Sequence, residues 1–84
     1  MTKLEQIIED YPGEELLKAD GFDEAVIGID EKDMRLVYSV GACLGILMRG
    51  MSIEDAEEYF EFNVAGAYVG PKTPIWCYGC PAPA

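Results

Sequence analysis

The stretch from Ser52 to Tyr68 constrains the fold more than any other part of the chain. Ile53, Ala56, Phe60, Val64 and Ala67 advance by 3, 4, 4 and 3 residues, the spacing that puts apolar side chains on one continuous helical face. Ser52 supplies a hydroxyl for the cap, Asp55 stands three residues later in the manner of a capping box, and Met51 can staple onto Ala56. Gly70-Pro71 reads as the stop signal. Asn63 and Gly66 interrupt this run of good helix formers. They predict a hydrogen bond from Asn63 to a neighbouring segment and close backbone packing at Gly66.

Two strands offer a surface for that stripe. Ala25-Val26-Ile27-Gly28-Ile29 is a short β-branched run, with Gly28 marking a bulge or a close backbone approach. Arg35-Leu36-Val37-Tyr38-Ser39-Val40 is its partner, and the charged connection Asp30-Glu31-Lys32-Asp33 predicts an antiparallel hairpin. Thr73-Pro74-Ile75-Trp76 can add a third strand at an edge, where proline is tolerated. Two further helices are expected. The first is capped by Thr2 with Glu5 and carries Leu4, Ile7 and Ile8 before Pro12-Gly13. The second runs from Gly41 to about Arg49, with Val40, Cys43, Leu44, Leu47 and Met48 on one face, Ser39 or a neighbour as its cap and a left-handed Gly50 as its stop. The expected fold class is α+β: one small domain over residues 1–76, a hairpin with a third edge strand packed on about three helices, and a flexible tail over 77–84 ending in Pro81-Ala82-Pro83-Ala84.

Charge narrows the partners. Sixteen acidic residues against 6 basic ones give a formal net charge of −10 at pH 7, while 50% apolar content is enough for a packed core. Lys3, Lys18, Lys32, Arg35, Arg49 and Lys72 are scattered, so direct binding to nucleic acid or an anionic membrane is not expected. An acidic surface does suit a basic groove that normally holds nucleic acid. Lys3 leads into Leu4-Glu5-Gln6 with no apolar run of signal-peptide length, and the longest such run, near Val40–Met48, is half a membrane span. A cytoplasmic protein is expected.

Enzyme chemistry finds little to work with. The chain has no histidine, which removes imidazole acid–base chemistry and His-based triads. Gly41, Gly45 and Gly50 punctuate helices without the Lys-Ser or Lys-Thr of a phosphate loop. The expectation is a non-enzymatic protein without a cofactor. Cys77-Tyr78-Gly79-Cys80, preceded by Trp76, is the one chemically loaded string. It is similar to a thioredoxin-type redox motif, but it lies too near the end of the sequence for the activating helix to follow. As a metal site it offers two ligands where tetrahedral zinc needs about four. The bland reading is a reduced, incidental tail; intermolecular metal or disulfide pairing and redox chemistry are the alternatives. Three cysteines in a short chain argue against a disulfide framework.

The candidate binding residues lie on the long helix. Glu54, Glu57, Glu58 and Glu61 fall at i, i+3, i+4 and i+7, and like charges at those spacings cost a few tenths of a kcal/mol per pair. A solvated face explains them, and so does a surface reserved for a basic partner. Phe62 lies off the core stripe and, with Tyr59, leaves aromatic surface beside the carboxylates. Asn63 and Tyr68 complete the candidate partner-binding set, with a structural role as the alternative for Asn63.

The stretches GFDEAVIGID, RLVYSV, CLGILMRGMSIEDAEEYFEFNVAGAYVG and TPIW, from Gly21 to Trp76, resemble a family of short acidic proteins recurring in bacteriophage and some bacterial genomes. The most specific piece runs from Glu58 to Pro74, and the tail from Cys77 departs from the family pattern. The resemblance implies a genomic setting and a compact accessory protein, and carries no activity with it. The expected function is a phage-type accessory protein that binds a host protein through its acidic helix face, in the host cytoplasm. The alternatives are a small structural or self-associating domain, with a small ligand at segment 63–74, and a thiol or metal function at Cys77 and Cys80.

Overall fold

Local capping sets the first helix. In a computed structural model that describes residues 2–67 and 69–80, α1 spans Lys3–Asp10. Thr2 Oγ1 accepts the Glu5 amide at 3.2 Å, and Glu5 Oε1 accepts the Thr2 amide at 3.1 Å, completing the predicted box. Leu4 and Ile7 are buried, but Ile8 is 48% exposed. The core takes a narrower stripe than expected, continuing from Ile7 to half-buried Tyr11, and Ile8 falls beside it.

Irregular chain from Pro12 to Gly21 follows, and a 3-10 turn over Asp23–Ala25 leads into the sheet. Asp20-Gly21 is a turn-forming pair, and Gly21 takes φ 90°, open to glycine without strain. Strand β1 is Val26–Asp30 and β2 is Arg35–Ser39, paired antiparallel. Val26 faces Tyr38 and Gly28 faces Val37, so Ile27 is the extra residue of a bulge. Tyr11 Oη donates to Glu31 Oε1 at 2.6 Å and ties the end of α1 to the hairpin loop.

Ser39 belongs to two elements at once. It ends β2, is fully buried, and its Oγ accepts the Ala42 amide at 3.2 Å as the cap of α2, Val40–Leu47. Val40 and Cys43 bury their side chains, Leu44 and Leu47 are partly covered, and Met48 lies at the exposed end. Gly50 is not left-handed; α2 instead closes through successive turns, the Arg49 and Gly50 amides bonding the Ile46 and Leu47 carbonyls.

Helix α3, Ile53–Tyr59, and a π-helical segment, Phe60–Ala65, complete the crossover to β3, Ile75–Cys77. The third strand is present, but it pairs parallel to β2, giving the order β1-β2-β3 with β2 central. A parallel pair needs a long crossover, and α2, α3 and the π segment supply it. The result is a small α+β domain. Cys77 pairs with Ser39 inside β3, so regular structure extends beyond the expected boundary at Trp76. Positions 81–84 of the expected tail lie outside the described residues.

The core joins the layers through aromatic rings. Tyr38 is fully buried and its hydroxyl accepts the Ala19 amide at 2.8 Å. Its ring lies 5.2 Å from Trp76, which in turn meets Phe60 edge-on at 5.3 Å between centroids. Trp76 thus bridges the central strand and the long helical segment. Among the described residues, no helix is long and apolar enough to cross a membrane.

Candidate protein-binding face

Ser52 starts α3 as predicted, its Oγ accepting the Asp55 amide at 3.3 Å. Ala56 and Phe60 are buried, one helical turn apart, against the core. The predicted stripe then fails at both ends: Ile53 is 40% exposed, Val64 is half-buried and Ala67 is exposed. Ile53 is exposed in the first turn of regular α3, whereas the failure at Val64 and Ala67 follows from the change of helix type at Phe60. In a π-helix each amide reaches a carbonyl one residue further back, so a turn holds more residues and the angular step shrinks. Residues beyond Phe60 rotate away from where α-helical spacing would put them. The helix also ends at Ala65, before the Gly70-Pro71 signal.

Gly66 closes this wide turn. A Cβ there would lie 2.9 Å from the Glu61 carbonyl oxygen, five residues back. Close packing at Gly66 therefore occurs, but against its own helical turn rather than a neighbouring segment. Asn63 is exposed and makes no hydrogen bond to a neighbouring segment among the described residues. That expectation fails because the π turn carries Asn63 outward.

The outward face gathers most of the predicted site. Glu54, Glu57, Glu58, Glu61, Phe62 and Asn63 are all exposed, and Phe62 is 77% exposed beside Tyr59 at 45%. Asp55, Glu58, Tyr59, Phe62 and Asn63 line one shallow depression. Tyr68, also predicted, lies outside the described residues. Sequence periodicity misses Tyr78, whose Oη stands 3.4 Å from Glu61 Oε1 at the edge of this face. A residue 17 positions away in sequence leaves no periodic signal that could reveal it.

The carboxylates of this face lack cationic partners among the described residues. Arg49 pairs with Glu24 at 3.3 Å and Lys72 with Glu14 at 3.9 Å. Arg35 Nε donates to the Thr73 carbonyl at 2.7 Å and Lys72 Nζ to the Glu15 carbonyl at 2.8 Å. Arg35, Arg49 and Lys72 are thus occupied on other segments; among the described residues Glu54, Asp55, Glu57, Glu58 and Glu61 form no ion pair, and Glu61 meets the Tyr78 hydroxyl.

A second concavity adjoins the face. Tyr59 and Asn63 also border a cleft of about 290 Å³, closed by Leu17–Asp20 and Phe22 on one side and by Pro74 and Trp76 on the other. The indole Nε1 of Trp76 is buried without a hydrogen-bond partner, which leaves a donor for which an acceptor would relieve a real cost.

Cys77 and Cys80 are joined to each other, with Cα atoms 5.8 Å apart. The expected reduced tail is thus drawn here as a closed pair, which stays within one short turn and does not staple distant parts of the chain. Cys43 is free and buried, and burial pushes its thiol up to about 12. No group of three potential metal ligands occurs among the described residues. Comparison with protein-family models, curated proteins and solved structures finds no match to this chain.

Proposed function

We propose that this chain is a non-enzymatic accessory protein of phage type that binds a basic protein surface through α3 and the π segment. The carrying observation is the largely exposed ring of Phe62, beside Asp55 and Glu58 on a helical segment whose carboxylates form no ion pair among the described residues. Burying a phenylalanine side chain is worth about 1.5–3 kcal/mol, and carboxylates around an apolar anchor steer a cationic partner onto it. A host protein that normally holds nucleic acid in a basic groove presents that chemistry. The host cytoplasm is the setting that the family resemblance implies.

Immobilised full-length protein exposed to bacterial lysate tests this reading. Partners retained by the parent should be lost by the Glu54→Gln, Glu57→Gln, Glu58→Gln, Glu61→Gln quadruple variant and by Phe62→Ala. Retention should also weaken as salt rises. Equal recovery by parent and both folded variants would reject it.

A second reading rests on the 290 Å³ cleft, which Asn63, Val64, Ala67, Val69 and Pro74 line. There a small ligand would sit against segment 63–74. Binding to that cleft should be insensitive to salt and to the quadruple substitution, which separates the two readings. Self-association through the acidic face is disfavoured by the repulsion between two such surfaces.

A further inference from the structure

The Cys77–Cys80 loop reaches the acidic face through the Tyr78 hydroxyl. Its Cα separation of 5.8 Å lies inside the range of about 4.4–6.8 Å that a disulfide spans without moving the backbone. Cys77 is fixed at the end of β3 opposite Ser39, while Gly79, at φ 76°, lets the chain turn back towards it. Between the two cysteines, Tyr78 is 61% exposed but keeps its hydroxyl 3.4 Å from Glu61. The loop's Tyr78 and Gly79 are therefore open to solvent, the loop is anchored at one end to the sheet, and Tyr78 carries its hydrogen bond to the face.

We propose that Cys77 and Cys80 form a thiol–disulfide exchange site for low-molecular-weight thiols of the glutathione type, and that its redox state decides whether Tyr78 is held at Glu61. A thiolate attacks one cysteine sulfur, the Sγ–Sγ bond breaks, and the electron pair leaves on the other sulfur, which takes up a proton. A second small thiolate attacks the small-molecule sulfur of the mixed disulfide and releases the remaining cysteine, which is protonated in turn. The net change converts one protein disulfide and two small thiols into two protein thiols and one small-molecule disulfide, and it reverses in excess of the latter. Among the described residues no helix follows Cys77, so they do not supply the helix N-terminus that activates thioredoxin-type cysteines. The loop acts as a responsive clasp. Cys43, with 0% exposure in the core, stays out of the exchange.

The full-length chain, equilibrated over a series of reduced-to-oxidised glutathione ratios and then alkylated with N-ethylmaleimide, gives the first test. Mass spectrometry should find no label on the native oxidised protein and label on Cys77 and Cys80 alone in the native reduced protein, with Cys43 labelled only after unfolding. The second measurement is the Tyr78 ring resonances. Reduction should move them towards their positions in an oxidised Glu61→Gln variant, while a Cys77→Ser, Cys80→Ser variant should ignore the glutathione ratio. A pair that remains alkylatable in excess oxidised glutathione, or that closes only between chains, overturns the exchange site. Tyr78 resonances indifferent to reduction overturn the clasp. No partner enters these measurements, so their failure leaves the acidic-face reading standing.

Discussion

The hairpin half of the molecule and the α3–π half use the same kinds of residue in opposite ways. Around the hairpin, Ala25, Val26, Leu36 and Tyr38 are at most 1% exposed. Carboxylates on that side find local partners: Glu5 at the α1 cap, Glu31 at Tyr11, Glu24 at Arg49. In the α3–π half only Ala56 and Phe60 are buried, while Ile53, Tyr59 and Phe62 stay in solvent among carboxylates without cationic partners. Burial is concentrated in the hairpin half, and the exposed, uncompensated half carries the proposed binding face.

The largest expected contrast lies between two phenylalanines two residues apart. Phe60→Ala removes a ring packed edge-on to Trp76 and should cost about 3–5 kcal/mol. Phe62→Ala should change stability by no more than about 0.5 kcal/mol. Chemical denaturation of both variants checks this, and comparable losses would abolish the distinction between the halves. Gly66→Ala comes next. The new methyl would meet the Glu61 carbonyl at 2.9 Å, a backbone atom that cannot swing aside. A loss of about 1–3 kcal/mol is expected, whereas an increase in stability would mean the π turn is easily remodelled as α-helix.

Smaller effects sharpen the electrostatic side. Replacing Glu54, Glu57, Glu58 and Glu61 by glutamine should leave melting temperature unchanged or slightly higher, because like-charge pairs along a helix cost a few tenths of a kcal/mol each. Circular dichroism on the variant checks this; a clear drop would assign those carboxylates a structural role. The smallest effect concerns Glu5. Hydrogen bonds from the Thr2 backbone amide and then its hydroxyl hold the Glu5 carboxyl below its ordinary value. A depressed folded-state value means the cap's contribution is present above the unfolded value and is lost as pH falls through the folded one. Glu5→Gln should therefore flatten the acid limb of the stability–pH curve slightly, its small loss appearing near neutral pH and vanishing at the acid end, as denaturation measured over a pH series would show.

Local chemistry makes several elements legible in the amino-acid order alone. Thr2 with Glu5, Ser39 and Ser52 act as caps because a hydroxyl and a nearby amide need only neighbouring backbone to find each other. The bulge beside Gly28, the turn at Gly21 and the exposed Phe62 are equally readable, each depending on a residue and its immediate spacing. The acidic face is visible too, since its four glutamates repeat on a helix and find solvent in any fold that buries Phe60.

Other features were decided only by tertiary structure. The sequence by itself determined the caps, the hairpin, the α+β class and the charge of one helix face, because these follow from contacts within a few residues. The chain's fold determined that β3 pairs parallel to β2, that Trp76 sits between Tyr38 and Phe60, and that Tyr78 reaches Glu61. It also turned the helix to π geometry after Phe60, moving Val64 and Ala67 off the predicted stripe and Asn63 into solvent. Periodicity assumes a fixed angular step along a helix. A change in that step, like a contact between segments far apart in the chain, arises from packing against surfaces that exist only after folding.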